Sequence, residues 1–397
     1  MNSVPITGIG VIAPGAIGLP AFRELMASGL TAVADVDRFD TAGLRAHKAA
    51  LVRDFVPRDF IPMMKMRRMN TLSRFGVAAA RLAIEDAGAA LLPQTGVAIG
   101  TAFGPVQTSV DYLQEYIEKG PSLAPPQLFA ESVANAPGSH IAIEWGLRGF
   151  NLTVTQRESS ALAAAMYAAS QLVKGAADAA LIGGIDEANQ MLFSVLDQLG
   201  ALAHAEGGHE EASRPFDVRR NGIVLGEGGA VFVAGAGTRV PYGWLTGFGI
   251  ARDTSASLSD WGERPESVVA AMRAAIDDAG LAVADVDAIY ASANSSRRGD
   301  PVESRAIESL FGSRVPVVAT KGVFGEYAAG GALQLAAALL AVESQTLHTS
   351  TGSEEEESGV RIQLNRRPRP MELRHVLVNS ISAGGGIVCA VVSREAV

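Results

Sequence analysis

Ala80-Arg-Leu-Ala-Ile-Glu-Asp-Ala-Gly88 and Met272-Arg-Ala-Ala-Ile-Asp-Asp-Ala-Gly280 are one segment written twice, and a repeat of this kind governs how the rest of the chain is read. Each copy spaces apolar side chains three and four apart and closes on glycine, the pattern of an amphipathic helix with a left-handed C-terminal residue. After a short loop each copy runs into an apolar stretch, Val97 to Gly100 and Ala288 to Ala291, short enough for a buried strand. A second pair ends each half: Gly226-Glu-Gly-Gly-Ala-Val-Phe-Val-Ala234 and Gly384-Gly-Gly-Ile-Val-Cys-Ala-Val-Val392, continuous apolar strands of the type buried on both faces. Between these markers each half has one more strand feeding an Ala-rich helix, Asn151–Thr155 into Ser159–Lys174 and Val315–Thr320 into Gly330–Glu343. Alternating strands and helices predict an α/β fold, mostly parallel sheets packed in layers with helices. The chain divides into two similar halves, about 1–240 and 241–397. Only the first carries an insertion, about 105–145, of the length that builds channels or subunit contacts.

Of the 397 residues 48% are hydrophobic and 19% charged, a balance that supports a large core and carries no signature of disorder. The single cysteine, Cys389, excludes a disulfide framework or a cysteine metal cluster within one chain, and a reducing cytoplasm is expected. Met1 to Gly15 reads as a strand and a Pro/Gly loop, without the charged region and cleavage site of a signal peptide. No apolar run reaches the roughly 18 to 20 residues of a membrane span, since Ala328 to Val342 is interrupted by Gly330, Gly331 and Gln334. Net charge −9 argues against bulk attraction to nucleic acid. Lys65, Arg67, Arg68 and Arg74 form a basic cluster on one predicted helix, either a solvated face or a dock for an acidic protein. Thr7-Gly-Ile-Gly10 opens like a dinucleotide fingerprint, but Val11-Ile-Ala-Pro14 breaks the helix that would receive a pyrophosphate. It is read as a turn after the first strand, and no cofactor is expected.

Four further segments stand in order along this frame. Ser213-Arg-Pro-Phe-Asp217 with Arg220, Gly222 and Gly226-Glu-Gly228, then Gly299-Asp-Pro-Val-Glu303 with Ala306-Ile307, then Lys321, then Asn379-Ser380 with Gly384-Gly385. Together they resemble the β-ketoacyl synthases over essentially the whole chain. The resemblance implies a thiolase-type fold, a dimer, and an active site where the two halves meet. The family's chemistry uses a cysteine thiolate to carry the acyl chain and two neutral imidazoles to hold the oxygen that turns negative when a malonyl thioester loses CO₂. Here the nucleophile position, in Val154-Thr-Gln-Arg-Glu-Ser-Ser-Ala161, holds Glu158. The first histidine position, eight residues before Asp300, holds Ser292. The second, in Lys321-Gly-Val-Phe-Gly-Glu326, holds Glu326, with Lys321 retained.

A carboxylate at 158 makes no thioester, and one at 326 is expected to repel a developing enolate by several kcal/mol in a poorly solvated site. None of the six histidines, at 47, 140, 204, 209, 348 and 375, falls in either motif. Two readings of Glu158 stand. One is an anion at a helix N-terminus, favoured by the dipole and paired with Arg157 or Lys321. The other is a carboxyl kept protonated by burial and by its neighbour's charge, serving as a general acid. Where the family has a gating phenylalanine before its paired glycines, this chain has Ile381-Ser-Ala-Gly384.

A ketosynthase frame without its catalytic residues resembles the chain-length factors of type II polyketide synthases, noncatalytic subunits paired with an active ketosynthase. The resemblance implies a heterodimer whose tunnel is gated from the helix after the Gly104 turn. It puts the gate at Val106, Ser109 and Leu113, spaced three and four apart and so on one helix face, with Phe193 on the tunnel wall. Each of the three apolar residues is equally readable as ordinary core or interface. Ser109 is the informative one, a hydroxyl on an otherwise apolar face. The resemblance also implies that an acidic acyl carrier protein docks near Lys65, Arg67 and Arg68. The competing reading is an independent malonyl-carrier decarboxylase or acyltransferase using Glu158 or Glu326.

Overall fold

The computed structural model describes residues 3–355 and 361–397, with residues 328–330 as backbone only. Its first half runs β1 (Val4–Ala13), α1 (Thr71–Ala87), β2 (Gly96–Gly100), α2 (Val106–Lys119), α3 (Ala136–Trp145), β3 (Asn151–Val154), α4 (Ser160–Val173), β4 (Ala180–Asp186), α5 (Gln190–Gln198) and β5 (Gly228–Ala234). The second runs β6 (Gly243–Arg252), α6 (Pro265–Asp278), β7 (Ala288–Ala291), α7 (Gly299–Phe311), β8 (Pro316–Ala319), α8 (Ala328–Ser344), β9 (His375–Ile381) and β10 (Gly386–Ser393). Strand order in the first half is β3-β2-β4-β5-β1 and in the second β8-β7-β9-β10-β6. Each half has three parallel outer strands and two antiparallel inner ones, and in the second half the short strand Gln363–Leu364 adds a fourth parallel strand beside β8. The halves join where β1 pairs antiparallel with β6, Val4 opposite Leu245.

The repeated helices α1 and α6 cover the outer faces, and the physical basis of the repeat is visible at their contact with β1 and β6. A Cβ on Gly8 or Gly10 would overlap the carbonyl oxygens of Ala83 and Ala79, and one on Gly247 or Gly249 those of Ala275 and Ala271. The helix backbone therefore lies directly on the strand. Asp86 fixes the first contact by accepting from Ile9 N–H at 2.9 Å, and Asp278 fixes the second from Phe248 N–H at 2.9 Å. This corrects the turn expected at Thr7-Gly-Ile-Gly10, which lies inside β1. Its glycines serve close helix packing, and Thr246-Gly-Phe-Gly249 is their second copy, a repeat that sequence reading passed over.

The inner layer is made by α4 and α8. Ala161, Ala164 and Ala168 of α4 and Ala332 to Val342 of α8 share one buried cluster with Ile182, Phe232, Val376 and Val378. A helix apolar on all sides is a buried helix, and alanine lets two such helices fit between sheets. The glycines that close the repeated helices are left-handed as expected, Gly88 at φ 57° and Gly280 at φ 70°.

One expected element does not form as a unit. The basic cluster is split, with Lys65 in the single turn Met63–Met66, Arg67 and Arg68 after it, and Arg74 in α1. Asn70 starts a new helix there, its side chain accepting from Ser73 N–H at 2.7 Å, an N-cap that ends any continuous helix across the cluster.

Candidate active site

Strands β3 and β8 stand toward opposite ends of the sheet, and the segments that follow them, each leading into an inner helix, touch the other half. Glu158 lies in the tight turn Arg157–Ser159 just before α4, and Glu326 two residues before α8. The halves are stitched together here. Ser380 Oγ donates to Glu158 O at 2.9 Å, and the hydroxyls of Ser159 and Ser382 are in hydrogen-bond contact.

Glu326 is 1% exposed and forms a buried ion pair with Lys321, Oε2 to Nζ 2.6 Å. Asn294 Nδ2 donates to the same oxygen at 2.6 Å, and the Tyr327 N–H donates to Oε1 at 2.7 Å. Ser292 Oγ accepts from Ile381 N–H at 2.9 Å and lies 3.5 Å from Lys321 Nζ. The ion pair corrects the expectation for Glu326. With Lys321 on its oxygen the pair is net neutral, so the strong repulsion of an enolate does not arise. The ammonium and the Asn294 amide that face this space both have Glu326 as a partner.

Glu158 is 2% exposed and accepts a hydrogen bond from Ala383 N–H at 3.0 Å on Oε2. Among the described residues it has no ion-pair partner. Burial first, and the charge of Glu326 second, raise its carboxyl well above the usual range, against the opposing pull of Lys321 and Arg157. Burial thus favours the protonated form. Among the described residues no ion pair joins Glu158 to Arg157 or Lys321, against the paired-anion expectation. A cavity of about 340 Å³ opens onto Glu158, with Arg157, Arg297 and Arg298 among its lining and Tyr327 and Ala383 beside the carboxyl.

The remaining motif residues are frame. Asp300 accepts from the N–H groups of Phe216, Asn294 and Ser295 at 2.8 to 3.0 Å, tying two motif loops together. Glu303 takes Ser292 N–H at 2.8 Å and Asn379 Nδ2 at 2.9 Å, and burial brings it up to about 7. Glu227 of the Gly-Glu-Gly segment is wholly buried and holds the Arg38 guanidinium at 2.7 and 2.8 Å. Asn294 is the site residue that sequence reasoning missed. It lay inside the quoted segment Ser292 to Asp300, but no spacing rule aims an asparagine three residues past a strand at a carboxylate 32 residues on.

Around α2 the assigned gate residues share a face, but they differ in setting. Val106 and Ser109 are half-buried, while Leu113 is 54% exposed. The Ser109 hydroxyl faces the carbonyls of Pro105 at 3.1 Å and Ser132 at 3.3 Å, which fastens α2 to the segment after it. Phe193 is fully buried, edge-on to Phe39 with ring centroids 5.5 Å apart. Of the basic residues, Lys65 pairs with Glu144 at 2.7 Å, while Arg67 and Arg68 are exposed.

Residues 1–236 match the model of the β-ketoacyl synthase N-terminal domain, and residues 242–354 that of the C-terminal domain. The chain belongs to the β-ketoacyl synthase family. It is 33% identical over 380 residues to the tetracenomycin polyketide synthase ketoacyl synthase alpha subunit of Streptomyces glaucescens, covering 89% of this chain and 87% of that one. To the beta subunit of the same organism it is 29% identical over 409 residues, 99% and 98% of the two chains. Among solved structures, the ishigamide ketosynthase/chain length factor superposes with a TM-score of 0.90 at 26% identity over 99% of both chains. The fold is thus that of the ketosynthases. The chain's one thiol, Cys389, is buried within β10, away from the buried carboxyl of Glu158. No helix among the described residues is long and apolar enough to cross a membrane.

Proposed function

We propose that this chain is a noncatalytic ketosynthase-like subunit, a chain-length factor, that pairs with an active ketosynthase and shapes the tunnel in which its partner's polyketide or polyene chain grows. One observation carries the reading: a complete ketosynthase frame surrounds a site where Glu158 replaces the nucleophile and Lys321 and Glu326 neutralise each other. A carboxylic acid cannot take up an acyl chain as a thioester, so bond formation falls to another chain. The relatives support a two-subunit arrangement, being by name alpha and beta subunits and a ketosynthase/chain length factor.

Two surfaces fit a partner. Strand β3 stands at the end of the sheet, paired on one side with β2, and an open strand edge is a template for another chain. The insertion exposes large apolar side chains, Leu113, Ile117, Leu123 and Phe129, the composition of a contact surface. Val106, Ser109 and Leu113 are the proposed gate, with Phe193 bracing it from behind Phe39. Docking of the acidic acyl carrier falls chiefly to Arg67 and Arg68, because Glu144 already engages Lys65.

Coexpression with a cysteine-containing homologue tests the proposal. The isolated chain is expected to condense nothing, and the copurified pair to extend malonyl units. Ser109→Trp is expected to shorten the product; an unchanged length removes Ser109 from the gate. A second reading is favoured by the raised proton affinity of Glu158. In it the isolated chain decarboxylates malonyl-carrier, and Glu158 gives its proton to the carbon that CO₂ leaves. It predicts turnover by the chain alone, abolished by Glu158→Gln.

A further inference from the structure

A second cavity, about 350 Å³, lies where the starts of α2 and α5 come together, apart from Glu158. Glu187, Ala188 and Asn189 border it and are buried, Phe39 gives it an apolar wall, and Gln107 and Gln190 stand exposed at its rim. Arg38 also borders it, but both its terminal nitrogens are bound to Glu227. Two buried polar groups remain with capacity to spare. Glu187 uses Oε1 to accept from Gln107 N–H at 2.8 Å. Asn189 uses Oδ1 to cap α5, accepting from Leu192 N–H at 2.9 Å, and its Nδ2 is buried beside the Glu187 carboxyl without a hydrogen bond of good geometry.

A buried donor left unmatched in a native cavity calls for a partner. Here the donor is an amide N–H, and a carboxyl beside it offers an acceptor. A hydroxyl is the smallest group that donates one hydrogen bond and accepts another at once. Anions are disfavoured, since Glu187, Glu227 and the neighbouring Asp186 already place carboxyls here and the Arg38 cation is spent. Burial and the charges of Glu227 and Asp186, against the pull of the Gln107 N–H and the Asn189 side chain, leave Glu187 at about 7, so no cation is required either.

We infer that this cavity binds the hydroxyl-bearing end of an otherwise apolar ligand, its O–H donated to Glu187, its oxygen accepting from Asn189 Nδ2, and its body lying against Phe39. That the ligand is the far end of a growing acyl chain rests on the function proposed above, because Gln107 sits on α2 between Val106 and Ser109. The pocket's preference for a hydroxyl does not rest on it.

The test uses the full chain and two probes of one shape, 4-methylphenol and 4-methylanisole, titrated by NMR with contacts to the Phe39 ring locating the site. The phenol is expected to bind about tenfold tighter, the worth of one well-made hydrogen bond in a buried site. Asn189→Asp keeps the oxygen that caps α5 and removes the N–H donor, and Glu187→Gln keeps the acceptor for Gln107 while removing the carboxylate. Glu187→Gln is expected to erase the preference with little change in the anisole, and Asn189→Asp, which removes the donor that both probe oxygens use, to weaken both probes. Equal binding of the two probes to the unaltered chain, a preference that survives Glu187→Gln, or anisole binding unchanged in Asn189→Asp overturns the inference. Should a variant not fold, the comparison of probes on the unaltered chain still decides. A null result at Ser109 in the chain-length experiment leaves this outcome untouched, so the two failures are distinguishable.

Discussion

Glu158 and Glu326 stand before the two inner helices of a duplicated fold, one from each half, and both are almost wholly buried. They are held in different ways. Glu326 has the Lys321 ammonium, the Asn294 amide and a backbone N–H on its oxygens, while Glu158 has one backbone N–H and a cavity. A buried carboxylate is tolerated only when paired and hydrogen-bonded; left alone it takes up a proton instead. The contrast teaches that the same residue, set at similar positions by the same supersecondary unit, is one half of an ion pair in one case and a neutral acid in the other. The deciding groups are Lys321 and Asn294, not the glutamates.

The largest effect is expected from breaking the ion pair. Lys321→Met leaves Glu326 buried without its cation and is expected to lower unfolding stability by about 3 to 5 kcal/mol in urea titrations. A loss under about 1 kcal/mol would show that the pair is not what holds Glu326. Adding Glu326→Leu to that variant should recover most of the loss, since an apolar pair replaces a buried ionic one without residual charge. Asn294→Ala removes one hydrogen bond to a charged acceptor, and about 1.5 to 3 kcal/mol is expected from the same measurement.

The smallest effect in acid buffer belongs to Glu158→Gln. At about pH 4 the carboxyl is largely protonated in the folded and unfolded chain alike, so the amide is close to isosteric and the variant should stay within about 1 kcal/mol of the parent. The two should part as pH rises. A carboxyl whose folded pKa lies above its unfolded value gives stability that is fully present below the unfolded pKa and is lost as pH climbs through the folded one. The parent should therefore fall below the Gln variant in alkaline buffer. Parallel stability curves from pH 6 to 10 would mean that Glu158 is ionised throughout, and the contrast with Glu326 would vanish.

Much of the frame was legible because its signals are local. Gly88 and Gly280 end helices through their own φ angles, and the apolar runs at 228–234 and 386–393 form strands because a short stretch buried on both faces has no other use for that composition. The repeat also went deeper than sequence reading followed it, since Thr7–Gly10 and Thr246–Gly249 are two copies of one strand contact. The basic helix failed for a local reason that was present in the sequence, the N-cap at Asn70. Ser109 was recognised as odd, but its hydroxyl turned out to fasten α2 to Ser132, a partner 23 residues away that no helical spacing indicates.

Which residues occupy positions 158, 292 and 326 is a matter of sequence alone, and with it the absence of a thiolate and two imidazoles at this centre. What those residues are, chemically, was decided by the tertiary structure. Proton affinity depends on desolvation and on charges within a few ångströms, and the groups of the second half that supply them come from the segment between β8 and α8, with Lys321 and Glu326, and from the loop after β9, with Ala383, brought to Glu158 only when the two halves close. The same holds for the second cavity, where Asn189 and Glu187 are neighbours of Gln107 in space but 80 residues or more from it along the chain.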